Sequence, residues 1–185
     1  MNDIAARHSE LAAAFARVAG AVTDWDAPTP VPEWRARDIV GHLTGWLPGM
    51  LSGMGVALAT VEVGDDPAAA WREHSANVAG LLDGEQLARV VQTWQGDSTL
   101  GEVLATFYLP DVFLHRWDLA RASGQDAGWP DAEAAAMASG MASVVEMLAA
   151  SGQYGRPVVL DDTHTGEERL AAVIGRDPHW APPTA

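Results

Sequence analysis

Apolar side chains recur at helical spacing through most of this 185-residue chain, and little of it alternates like a strand. From about Asp3 to Thr23, Leu11, Phe15, Val18 and Val22 follow that period among many alanines. Pro28, Pro30 and Pro32 then break the chain into an extended connection. A second helix is predicted from Arg35 with Ile39, Val40, Leu43, Trp46 and Leu47, and Pro48-Gly49 should kink or interrupt it before it resumes towards Ala59. Asp65-Asp66-Pro67 opens a third helix, which carries Trp71, Val78, Leu81 and Leu82 and ends near Gly84. Thr99 and Glu102 form a capping box for a fourth, running through Leu104, Phe107 and Leu114 to Leu119 and kinked at Pro110. An alanine- and methionine-rich fifth helix follows Trp129-Pro130 to about Ala150, with Met137, Met141 and Met147 as core filler. Thr165 and Glu168 cap a short last helix to Ile174, with Gly175 as its stop. Two stretches read otherwise. Residues 85–98 either extend a helix through Leu87, Val90 and Val91 or form a short strand in which Val90, Gln92 and Trp94 alternate, and 154–164 read as extended chain. The expected fold is all-α: an antiparallel four-helix bundle with a short C-terminal extension, one domain over residues 1–185.

The chemistry open to such a bundle is narrowed by what it lacks. There is no cysteine and no lysine; all eleven basic residues are arginine. A thiolate nucleophile, a disulfide, a thiolate zinc site and a lysine Schiff base are therefore excluded. A metal would have to be held by nitrogen and oxygen alone. The formal net charge of −14 repels phosphate backbones, so nucleic acid is not an expected partner. No long uncharged apolar run and no signal-peptide pattern are visible, so a soluble cytoplasmic protein with no membrane partner is expected.

Within these limits His42, Asp111 and His115 stand out. Asp111 and His115 are four residues apart, hence on one face of a helix and able to point at a common atom. His42, arriving from another helix, would complete three ligands and leave a coordination position open for water or substrate. Each also has a plainer reading. His42 sits among Val40, Leu43 and Trp46 and can be a hydrogen-bonded core histidine. Asp111 follows Pro110 and can accept backbone N–H groups where a kinked helix restarts. His115 lies among Phe113, Leu114 and Trp117, where a buried imidazole needs at least one partner. Trp46 and Tyr108 are expected either to line a pocket beside the open position or to pack in the core. Asp118 is expected to hold the second nitrogen of His115, or instead to pair with Arg121 or Arg116. The remaining histidines fit the pattern poorly. His8 is expected to be solvated and His74 to lie on a surface face, while His164 and His179 fall in loop or tail without a helical acid partner.

Three stretches resemble the DinB-like superfamily, and within it the mycothiol-dependent maleylpyruvate isomerase N-terminal-domain family and its single-domain relatives. They are Trp34-Arg-Ala-Arg-Asp-Ile-Val-Gly-His42-Leu, Asp111-Val-Phe-Leu-His-Arg-Trp-Asp-Leu-Ala-Arg-Ala-Ser-Gly124 and Gly175-Arg-Asp-Pro-His-Trp180. The resemblance implies a DinB-like four-helix bundle whose divalent metal is bound by His, Glu and His, which fall here on His42, Asp111 and His115. Asp stands in the carboxylate position, one methylene shorter. The isomerase branch uses zinc; zinc or nickel is expected here. The resemblance further implies a metal-dependent isomerase or transferase acting on a small molecule, with a low-molecular-weight thiol such as mycothiol supplying the sulfur this chain lacks. A non-catalytic metal- or ligand-binding bundle and a metal-dependent hydrolase are the alternatives. The expected partner is a small-molecule substrate, with self-association as a homodimer allowed for.

Overall fold

In a computed structural model, residues 3–150, 154–161 and 164–183 are described. Its frame is helical. The elements are α1 (Asp3–Ala19), α2 (Ala36–Gly53), α3 (Pro67–Ala79), α4 (Gly84–Leu87), β1 (Val90–Thr93), β2 (Gly96–Thr99) and α5 (Leu100–Val103). A π-helical turn (Leu104–Tyr108) follows, then α6 (Leu109–Ala122), α7 (Asp131–Ala142), α8 (Val145–Ala150) and α9 (Gly166–Val173). α1 packs on α3 and α6, and α2 packs on the same two, so four helices close a ring around one core; α7 packs on α9. This is the helical bundle that the periodicity predicts. Phe15, Ile39, Leu43, Leu47, Leu51, Trp71, Leu104, Phe113 and Trp117 are all buried in its interior.

Local chemistry explains most of the boundaries. The Asp66 side chain accepts the Ala69 N–H and Pro67 starts α3, as acid and proline at a helix start should. Thr99 and Glu102 cap α5 reciprocally, and Thr165 and Glu168 do the same for α9. Gly175, at φ +77°, follows the last helix in a left-handed conformation that glycine adopts at little cost.

Several elements differ from the sequence reading. α1 stops at Ala19 and α3 at Ala79, each short of its apolar run. Pro48 lies inside α2 without interrupting it, because Leu43, Leu47 and Leu51 bury that helix on both sides of the missing hydrogen bond; the helix then ends at Gly53 rather than near Ala59. Residues 85–98 hold both alternatives in succession, a single helical turn and then an antiparallel hairpin that pairs Val90 with Thr99 and Thr93 with Gly96. The fifth helix is divided between α7 and α8, and Met147 is exposed while Met137 and Met141 are only half-buried. At Pro110 the kink takes the form of the π turn. Pro110 has no N–H for the Thr106 carbonyl and its ring would crowd that oxygen. The helix widens just before it, with the Leu109 N–H donating to the Leu104 carbonyl. Among the described residues no helix is long and apolar enough to cross a membrane.

Candidate metal centre

The packing of α2 on α6 brings His42 to Asp111 and His115. The His42 Nε2 lies 3.0 Å from Asp111 Oδ2, and the His115 Nε2 lies 3.5 Å from Asp111 Oδ1. One potential ligand atom from each of the three lies within 4.8 Å of the others. The separations of 3.0 and 3.5 Å from Asp111 are close to those of neighbouring donors on a common ion bonded at about 2.0–2.2 Å. The donor set also suits a divalent cation, with two imidazoles and one carboxylate and no lysine in the chain to compete.

Asp111 and His115 are each held by a second contact, and the helix that carries His42 is fixed at its start. Asp38 accepts the Arg35 N–H at 2.7 Å and fixes the start of the helix that carries His42. The Trp46 indole N–H donates to Asp111 Oδ2 at 2.9 Å, so Trp46 stands beside the carboxylate and orients it. The His115 Nδ1 lies 2.9 Å from Asp118 Oδ2. Donation of the Nδ1–H to that carboxylate leaves Nε2 with its lone pair facing Asp111. Asp118 is fully buried and takes its other contacts from Arg176, whose Nε donates to Oδ1 at 2.9 Å and Nη2 to Oδ2 at 3.3 Å. It pairs with neither Arg121 nor Arg116, whose side chains donate to the Pro178 and Gly128 carbonyls.

Charge follows this geometry. Burial alone would lower the His115 pKa, but the Asp118 hydrogen bond and the charges of Asp111 and Asp118 outweigh it, and the pKa is raised. Burial pushes Asp118 in the opposite sense from its partners; hydrogen bonding to His115 and the Arg176 charge prevail, and its carboxyl titrates below the ordinary value.

Sequence reasoning missed three contributors. Trp34 lies over both histidines, its ring centroid 5.1 Å from His42 and, nearly parallel, 5.6 Å from His115. A tight turn presents it: the Thr29 N–H donates to the Trp34 carbonyl, and Glu33 just before it sits at φ +68°. Arg176 comes from 58 residues beyond Asp118 in sequence and is delivered by the end of α9. There the Gly155 and Gly175 backbones meet so closely that neither has room for a Cβ, and the Gly155 N–H donates to the Ile174 carbonyl. Tyr154, half-buried at that crossing, is the third; burial raises its phenol pKa, as does the Asp111 charge, against the Arg176 charge. The only advance signal was that Trp34 and Arg176 fall inside stretches with family character.

Other expectations need correction. Tyr108, for which the sequence leaves a pocket wall and core packing both open, is fully buried and lies behind Trp46, 6.3 Å between ring centroids. His8 and His74 are buried rather than solvated, because each occupies a position on its helix's apolar stripe. His164 does have a helical acid partner, lying 3.3 Å from Glu168 as well as 2.8 Å from Asp161.

The family model described as the mycothiol maleylpyruvate isomerase N-terminal domain matches residues 8–120, well over half of the chain. That span contains His42, Asp111, His115 and Asp118 but neither Tyr154 nor Arg176. Comparison with curated proteins and comparison with solved structures each return no match.

Proposed function

Because the chain belongs to the mycothiol maleylpyruvate isomerase N-terminal-domain family of the DinB-like superfamily, we propose that it is a divalent-metal enzyme that acts on a small molecule with a low-molecular-weight thiol as co-substrate. One observation carries the reading. Two imidazoles and a carboxylate from two helices converge within 4.8 Å, while a buried Asp–Arg pair fixes the far nitrogen of one imidazole. A carboxylate that holds the far nitrogen of an imidazole is the outer-shell arrangement that metal-bound histidines use. His42, Asp111 and His115 would hold the ion, with zinc or nickel best suited to the donor set. When bound, a divalent cation there supplies a Lewis acid that favours the anion of a thiol or a water at neutral pH.

The protein's own groups govern approach and orientation. Side-chain exposure falls from 30% at His42 to 18% at Asp111 and 10% at His115, so a substrate reaches the centre from the His42 side. Trp34 and Trp46 stand on that side as flat apolar walls, suited to the carbon skeleton of a small molecule and to excluding water. Asp118 and Arg176 keep His115 in the tautomer that offers Nε2. The sulfur has to be imported, since the chain has no cysteine.

Isothermal titration of metal-loaded and metal-stripped protein with mycothiol, or with a simpler thiol, tests this. Binding by the loaded form alone, abolished in His115→Ala, is expected. Equal binding by both forms, or none by either, would remove the thiol and favour a hydrolytic or purely metal-binding role.

A further inference from the structure

A second polar cluster lies in the same bundle, and it carries no charge. His8 on α1 is 4% exposed; His74 on α3 and Tyr108 at the end of the π turn are 0% exposed. The rings touch. His8 stacks on Tyr108 with centroids 6.1 Å apart, and His74 meets it edge-on at 5.8 Å. The His8 Nε2, both ring nitrogens of His74 and the Tyr108 hydroxyl are all buried without a hydrogen-bond partner among the described residues. Among the described residues three other buried side-chain atoms share that condition, the Nε atoms of Arg37, Arg116 and Arg121. Each of those guanidinium groups has a nearby oxygen: Arg37 is ion-paired with Asp26, and the other two donate to backbone carbonyls. The cluster of His8, His74 and Tyr108 has no such relief, although buried polar groups in folded proteins are nearly always paired with protein or with water.

The chemistry of the lining selects the occupant. Burial lowers both histidines from the ordinary 6.5 to about 4, with His8 adding to the effect at His74, so both are neutral at neutral pH. Burial, and then the Asp111 charge, raises the Tyr108 phenol, which stays protonated. An anion would find no positive charge there, and a cation would find two neutral imidazoles but no carboxylate to offset its charge. A neutral molecule that both donates and accepts fits, and it must be small. A groove of ≈ 530 Å³ between α1 and α3 reaches the edge of the cluster at His8, which lines it among Ala5, Ser9, Ala12, Ser75 and Ala76, while His74 and Tyr108 lie behind.

We propose that His8, His74 and Tyr108 bind internal water supplied from the α1–α3 groove. The bound water joins α1, α3 and the π turn by hydrogen bonds at the back of the metal-ligand face. It also fixes Tyr108, whose ring backs Trp46, the residue that donates to Asp111. The site thus has a hydrated rear wall, and its placement does not depend on whether a metal or a thiol is bound.

Oxygen-17 relaxation dispersion on the full-length, metal-stripped protein counts waters held longer than the molecule tumbles. The wild type is expected to hold at least one more such water than His74→Phe or Tyr108→Phe. Equal counts would overturn the proposal. Tyr108→Phe keeps the ring and gives an independent reading should His74→Phe fail to fold. If water satisfies the hydroxyl, its removal lowers Tm by about 2–4 °C; an unchanged or higher Tm means a dry, unpaired hydroxyl and contradicts the proposal. A second zinc ion per chain that disappears in His74→Phe would also overturn it, by assigning the cluster to a metal.

Discussion

His115 and His74 are both buried on helices of one bundle, yet burial has opposite outcomes for them. At His115 it is overruled by a hydrogen bond to Asp118 and two carboxylate charges, and the imidazole holds its proton more tightly than usual. At His74 it acts unopposed, and the imidazole titrates near 4. The difference lies in what faces the second nitrogen. His115 has a carboxylate backed by a guanidinium; His74 has a neutral histidine, a neutral tyrosine and the indole of Trp71. A buried histidine becomes a ligand candidate when its partner fixes the tautomer, and a neutral filler when nothing does.

The sharpest way to break that contrast is to remove the partner. Asp118→Ala leaves the Arg176 guanidinium buried and unpaired, and such losses cost about 3–5 kcal/mol. Urea unfolding measures it. The milder Asp118→Asn should lower metal affinity by roughly 10-fold or more, read by competitive metal titration. An unchanged affinity would make Asp118 a purely structural ion partner.

The neutral pair makes a prediction about pH. The folded-state pKa near 4 lies below the unfolded 6.5, so between those values the unfolded chain binds more protons. Stability should therefore fall as pH drops from 6.5 through 4, by about 3 kcal/mol for each histidine at the limit. His115 acts in the opposite sense: its raised pKa contributes stability that is present at low pH and fades as pH rises through the folded value. Comparing His74→Gln with wild type at pH 7 and pH 4.5 isolates the neutral pair. The variant should lose less stability on acidification, and parallel losses would show that His74 protonates as readily in the folded chain as in the unfolded one.

Smaller effects bound the account. Trp46→Phe removes a hydrogen bond to a carboxylate, worth about 1.5 kcal/mol, and should weaken metal binding by a few-fold without changing its stoichiometry. At the hairpin tip Trp94 is 71% exposed but its ring packs on Phe107, with centroids 5.1 Å apart, so Trp94→Ser should cost about 0.5–1.5 kcal/mol and leave metal affinity unaltered. A change in metal affinity would show that the Phe107 contact transmits to the π turn and the metal ligands.

Much of this was legible in the sequence because much of it is local. The Asp111–His115 pair needs only the helical repeat, and the capping boxes at Thr99 and Thr165 need only four residues each. The hairpin strand β1 was half-legible in the alternation of Val90, Gln92 and Trp94. His8 and His74 were misread for a definite reason: Arg7, Ser9 and Glu10 beside one, and Arg72 and Glu73 beside the other, drew attention to polarity. Yet His8 falls between Ile4 and Leu11 on the α1 stripe, and His74 between Trp71 and Val78 on that of α3. Periodicity should have outweighed the neighbours. No local pattern encodes the Arg176–Asp118 contact, which depends on the Gly155–Gly175 crossing bringing the end of α9 back to α6.

The central claim is that His42, Asp111 and His115 converge to bind one metal ion. Anomalous diffraction at a metal absorption edge, from crystals of protein purified without added metal, tests it most directly. The account predicts a single peak bonded to the His42 and His115 Nε2 atoms and to the Asp111 carboxylate at about 2.0–2.2 Å, and no peak in His115→Ala. No peak after zinc is supplied, with His42 still hydrogen-bonded to Asp111, would contradict it and leave the three side chains as partners only of one another.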